Sequence, residues 1–175
     1  GLVQLVQLRP LQPGNTYFYT RLPHPGFAPD TVVRLSSTAG YFGALELYGV
    51  GVHPLVLAGD LWTLAEGQPL AIEWDVPSGE LRSRIYLELN IDQHGLTPVN
   101  LVCDLPDTGS AAIPAAIIDA LIARGVTGFP TARVQRRTVD AVEHDGFCAD
   151  FMVSSVRAVD VEVTGYIPCT SDANC

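Results

Sequence analysis

Residues 84–92 read "RIYLELNID", with Ile85, Leu87, Leu89 and Ile91 on alternate positions and Tyr86, Glu88 and Asn90 between them. Side chains of an extended chain point to opposite faces in turn, so this spacing predicts a strand with one inward, apolar face. The preceding stretch, "PLAIEWDVP" at 69–77, repeats the pattern. Leu70, Ile72, Trp74 and Val76 point one way, and Ala71, Glu73 and Asp75 the other. Half-buried strands of this kind belong to antiparallel sheets.

Working outward, further strands are predicted at 16–22, 31–36, 43–49, 98–104, 131–140, 147–155 and 158–164. Clusters of Gly, Pro and Asn such as "QPGN", "LPHPGFAPD" and "VPSGE" separate them. The opening "LVQLVQL" has a period nearer three than two. One helix is predicted over 114–124. Pro114 suits the first helical position, Ile117, Ile118, Leu121 and Ile122 form the stripe, Arg124 favours the dipole and Gly125 stops the turn. The expectation is an all-β antiparallel sandwich, immunoglobulin/fibronectin-like or jelly-roll-like, with one short helix. Residues 1–168 form one enlarged domain with a sub-boundary near 67, and 169–175 begin a Cys-rich tail.

The 175 residues are 47% hydrophobic and 17% charged, enough to fold around a core. A net charge of −9 argues against nucleic acid and anionic membranes as partners. All ten basic residues are Arg, so lysine chemistry is excluded. The Arg136-Arg137 pair is expected on a solvated strand face. No apolar run is long enough for a membrane span. "GLVQLVQLRP" lacks a basic start and a small-residue cleavage site, so the expectation is a mature segment or one cut from something longer.

The four cysteines, Cys103, Cys148, Cys169 and Cys175, match no zinc spacing. An even count in a strand-rich chain suggests two disulfides in an oxidising compartment, Cys103–Cys148 and Cys169–Cys175. The alternative is that Cys103 and Cys148 are buried thiols.

Within "LVCDLPDTGSAAIPAAIIDALIARG", residues 107–110 spell Asp-Thr-Gly-Ser, the tetrad that aspartic proteases place around a catalytic carboxylate. Such an enzyme needs two carboxylates sharing a proton, and the chain holds one copy, so catalysis by Asp107 would require a homodimer. Pro106 stands where that family has a hydrogen-bonded strand residue, and no later apolar-apolar-Gly strand completes the site. A turn accounts for the same letters. Pro106 fixes φ, Asp107 can bond back to the backbone, Gly109 takes the positive φ, and Asp107, Thr108 or Ser110 leads into the helix.

The run Cys103, Asp-Thr-Gly-Ser, "IP" and a short apolar helix, after "L-x-I-x-W-D-x-P" and "RIYLELN", resembles a β-sandwich module of secreted bacterial lipoproteins, notably myxobacterial-type ones. The later "RRTVD" and Cys148 strands share the likeness, which covers mainly residues 60–168. The resemblance implies secretion and a non-catalytic role. It carries no defined activity. The tail "PCTSDANC" looks like the start of a small Cys-rich module.

The remaining candidates are sparse. His24, His53, His94 and His144 have no second His at ligand spacing and are expected in surface positions, with no metal and no cofactor. "NIDQHG" and "VEHDG" lack the alternating pattern of a calcium loop. Ser110 has no G-x-S-x-G context. Tyr17, Tyr19 and Trp62 form a candidate sugar-stacking platform, whereas Trp74 alternates with core residues. The reading that follows is a non-catalytic extracellular or cell-surface module, structural or binding. Its partners would be a glycan, another surface protein or a second copy through strand edges. A carbohydrate-binding module and a homodimeric aspartic protease are the alternatives.

Overall fold

The computed structural model describes residues 7, 10–11, 16–17, 25–38, 43–78, 82–91, 99–144 and 146–166. The described residues are mostly β with one short helix, and their strands form several sheets. Strands β1 (Pro10–Leu11) and β2 (Thr16–Tyr17) make a short ladder, and β3 (Val32–Ser37) pairs with β4 (Leu45–Val50). Then follow β5 (Leu61–Leu64), β6 (Leu70–Glu73), β7 (Arg84–Asn90), β8 (Asn100–Pro106), β9 (Ser110–Ile113), α1 (Ala115–Ile122), β10 (Thr131–His144) and β11 (Phe147–Val163). The largest sheet has the order β5-β11-β10-β7-β8, and β6 pairs with β9.

The alternation in "RIYLELNI" becomes the centre of the core. Ile85, Leu87, Leu89 and Ile91 are all buried, beside Val134 of β10 and Val159, Val161 and Val163 of β11. Leu70, Ile72 and Trp74 of the β6 segment, Ile113 of β9, and Ile118 and Leu121 of α1 join the same cluster. Val76, expected on the same face, is exposed because the strand has ended before it. Burying these side chains supplies the main stabilisation, at about 25 cal/mol per Å² of apolar surface.

Four elements differ from expectation for identifiable reasons. Residues 147–163 form one continuous strand, not two, because β10 supplies a partner at every position from Thr131 to His144. Short β5 and β9 went unpredicted: their alternation stops with the four residues, whereas that of β6, also four residues, runs on in sequence to Trp74 and Val76. The antiparallel rule also breaks once, since β5 pairs with β11 in parallel. The helix is shorter than its predicted span. Pro114 is its N-cap rather than its first helical residue, no side chain caps that end, and β9 separates Ser110 from it. Gly125, at φ 106°, does terminate the turn, donating to the Ile122 carbonyl.

The β10–β11 hairpin serves two packing partners. Its first half carries the main core. Its distal half packs against β4, with Thr138 Oγ1 donating to the Val50 carbonyl at 2.8 Å and the Tyr48 amide donating to Asp140 at 2.8 Å. Approach is close here: a Cβ on Gly49 would lie 2.4 Å from Val153 Cγ2.

The expected Cys103–Cys148 disulfide is absent, and both thiols are free. Sheet order explains it. Cys103 faces Leu87, which faces Val134, whereas Cys148 faces Glu143, nine positions further along β10. Nine residues of strand span about 30 Å, far beyond the roughly 4.4–6.8 Å between Cα atoms of a disulfide. Cys169 and Cys175 lie outside the described residues. Among the described residues no helix is long and apolar enough to cross a membrane.

Candidate functional site

The Asp-Thr-Gly turn forms as expected in backbone and differently in side chain. β8 ends at Pro106, Thr108 N–H donates to the Pro106 carbonyl, and Gly109 adopts φ 93°. The Gly109 carbonyl accepts from the Trp74 amide at 2.8 Å, which fastens the turn to the end of β6. A side chain at 109 would meet both a left-handed backbone and Val76 Cγ2 at 2.7 Å, so Gly is required.

Asp107 does not bond back to its own turn. Its side chain points into the protein, and the residue is 4% exposed. Oδ1 accepts from Trp74 Nε1 at 2.7 Å and from Arg136 at 3.2 Å, and Oδ2 from Ser83 Oγ and Arg136 Nε, both at 2.7 Å. A carboxylate has about four acceptor positions, and all are taken. Arg136 also donates to the carbonyls of Pro54 and Asp75. The pair therefore ties together five segments: the loop before β5, the end of β6, the loop before β7, the turn after β8, and β10.

Arg136 is 1% exposed, so the expected solvated face is corrected for this residue. Sequence held the signal. In "TARVQRRTVD", Arg136 shares the parity of Ala132 and Val134 and must point inward with them. A buried guanidinium needs a buried carboxylate, and Asp107 supplies it. Arg137, of opposite parity, does face outward, stacked 3.8 Å over the Tyr86 ring and 3.9 Å from Asp104.

Burial alone would raise the Asp107 pKa, but the hydrogen bonds from Arg136, Ser83 and Trp74 and the Arg136 charge outweigh it and hold the carboxyl below its usual value. Its chemistry is that of an anchor ionised at neutral pH. Isolated removal of one partner strands the other charge inside the protein.

The other candidates are dispersed. Trp62, proposed for the sugar platform, is 6% exposed and belongs to the core; its parity along β5 matches buried Leu64 and sends its ring inward. That removes it from any exposed stacking surface. Tyr17 lies in β2, where only its backbone is described, and Tyr19 lies outside the described residues. His53 pairs with Asp30 at 2.8 Å at the surface. His24, His94 and most of "NIDQHG" lie outside the described residues, as does the His144 side chain. Among the described residues no cluster of three or more His, Cys, Asp or Glu is placed to hold a metal ion.

Two shallow concavities lie among the described residues and bear on the candidates. One, of about 350 Å³, is lined by Asp30, Val50, His53, Arg82, Ser83 and Thr138 and borders the ion pair through Ser83. The other, of about 260 Å³, lies on the outward face of the main sheet between Glu88, Asn90, Asn100, Thr131 and Arg133. Compared with family models, curated proteins and solved structures, the chain matches none.

Proposed function

We propose that this chain is a non-catalytic structural or binding module of a secreted or surface-exposed bacterial protein, built as one enlarged β-sandwich domain. The observation that carries the reading is the state of Asp107. Its oxygens are buried, saturated with donors and matched to Arg136, which leaves no lone pair for a shared proton or a water. The sandwich reading is supported by the main core cluster, to which the main sheet, the β6–β9 pair and α1 all contribute. Placement outside the cell rests on the resemblance to secreted lipoprotein modules.

The test is peptide hydrolysis at acid pH by the full chain, with and without pepstatin. The expected result is no cleavage above background. Pepstatin-sensitive cleavage would establish the protease alternative and end the module reading.

A second reading, a glycan-binding module, is favoured by the outward concavity, whose amides, guanidinium and carboxylate suit sugar hydroxyls. Its expected signature is glycan-array binding lost in Asn100→Ala and Arg133→Ala. Binding unchanged in both variants would remove that surface.

A further inference from the structure

We propose that β8 is a self-pairing edge, on which two copies join antiparallel about a twofold axis through Cys103. The proposal deepens the module reading above and rests on it for the role of the edge. Among the described residues, β8 is the terminal strand of the main sheet and pairs on one side only, with β7. Its inward side chains, Leu101, Cys103 and Leu105, pack against the core yet remain half-buried, so the core stays open along this border. An additional strand would close it.

The sequence of β8 selects the occupant. Read inward, "NLVCDLP" is Leu-x-Cys-x-Leu, the same in both directions. Antiparallel pairing centred on Cys103 sets Leu101 against the partner's Leu105, Cys103 against the partner's Cys103, and Leu105 against the partner's Leu101. On the outward face Val102 meets the partner's Asp104, so no like charges lie directly opposite. The two Asp104 carboxylates become diagonal neighbours, and each is already compensated by Arg84 at 2.9 Å and Arg137 at 3.9 Å. A heterologous strand would gain the same backbone bonds but not this symmetric match. The other border of the sheet, β5, offers only four residues. Paired in this way, two five-stranded sheets become one continuous sheet of twice the width.

Facing residues of an antiparallel pair have Cα atoms about 4.5–5.5 Å apart, within disulfide range. The two Cys103 thiols can therefore be joined by an added oxidant. Diamide takes the two electrons and two protons of the thiols, becoming the hydrazine, as the S–S bond forms.

The experiment combines sedimentation of the full chain with diamide treatment of a mixture of ¹⁵N-labelled and unlabelled copies. Expected are a concentration-dependent dimer and a Cys103–Cys103 peptide carrying one labelled and one unlabelled half. Val102→Asp, which places acid opposite the partner's Asp104 at two symmetric positions, should weaken the dimer by about tenfold. Val102→Lys should tighten it by a similar factor. Val102 is exposed, so neither variant removes a core residue. A monomer at about millimolar concentration, a dimer indifferent to both variants, or a mixed-label link confined to other cysteines would overturn the pairing. A monomer without peptidase activity leaves the module reading standing. Pepstatin-sensitive cleavage overturns that reading whatever the mass.

Discussion

At Asp107 and Arg136 each charge is tolerable inside the protein only because the other is there. Asp107→Asn is therefore expected to unfold the chain more readily, by about 3–5 kcal/mol, because it leaves a guanidinium buried without a counter-charge. Asp107→Leu with Arg136→Met should regain part of that loss: no unpaired charge stays buried, but Trp74 Nε1–H and the Pro54 and Asp75 carbonyls lose their partners. Chemical denaturation of both variants checks this, and equal losses would show that the pair is not coupled. Acid adds a second expectation. The folded carboxyl titrates below its unfolded value, so the unfolded chain binds more protons as pH falls. The stabilisation is complete above the unfolded pKa of about 4 and is lost as pH drops through the folded one. Melting temperatures across pH 2–6 should fall less steeply on the acid side for the double variant than for the native chain.

At the level of strands and turns, legibility followed the number of alternations. The seven residues of β7 declared themselves, as did the buried face of Leu70, Ile72 and Trp74. The four residues of β5 did not, and the misplacement of Trp62 followed from that, because without a strand its parity had no meaning. The site was half readable. The turn was visible in Pro106 and Gly109, whereas the direction of the Asp107 side chain depends on Arg136, 29 positions away. Close approach between elements gives another expectation. A Cβ at Gly51 would lie 2.3 Å from the Ala28 carbonyl oxygen, whereas at Gly59 nothing stands within 4 Å. Gly51→Ala should cost about 1–3 kcal/mol of stability and Gly59→Ala well under 1, as measured by urea denaturation.

For the whole molecule, sheet order overrides the inference from cysteine count. An even number of thiols suggested pairing, but the strands that carry Cys103 and Cys148, β8 and β11, are separated in space by β7 and β10. Alkylation of the native chain should mark exposed Cys148 quickly. Cys103, half-buried and with a thiol pKa raised by that burial, should react slowly, and peptide mass mapping distinguishes the two. Equal rates would contradict the inward placement of Cys103. The parallel ladder of β5 on β11 has a temporal side. Leu61–Leu64 wait for Asp160–Val163, about a hundred residues later in the chain. During synthesis Trp62 and Leu64 therefore lack this cover until the chain has been made as far as β11, and over that interval their apolar surface is open to holding chaperones.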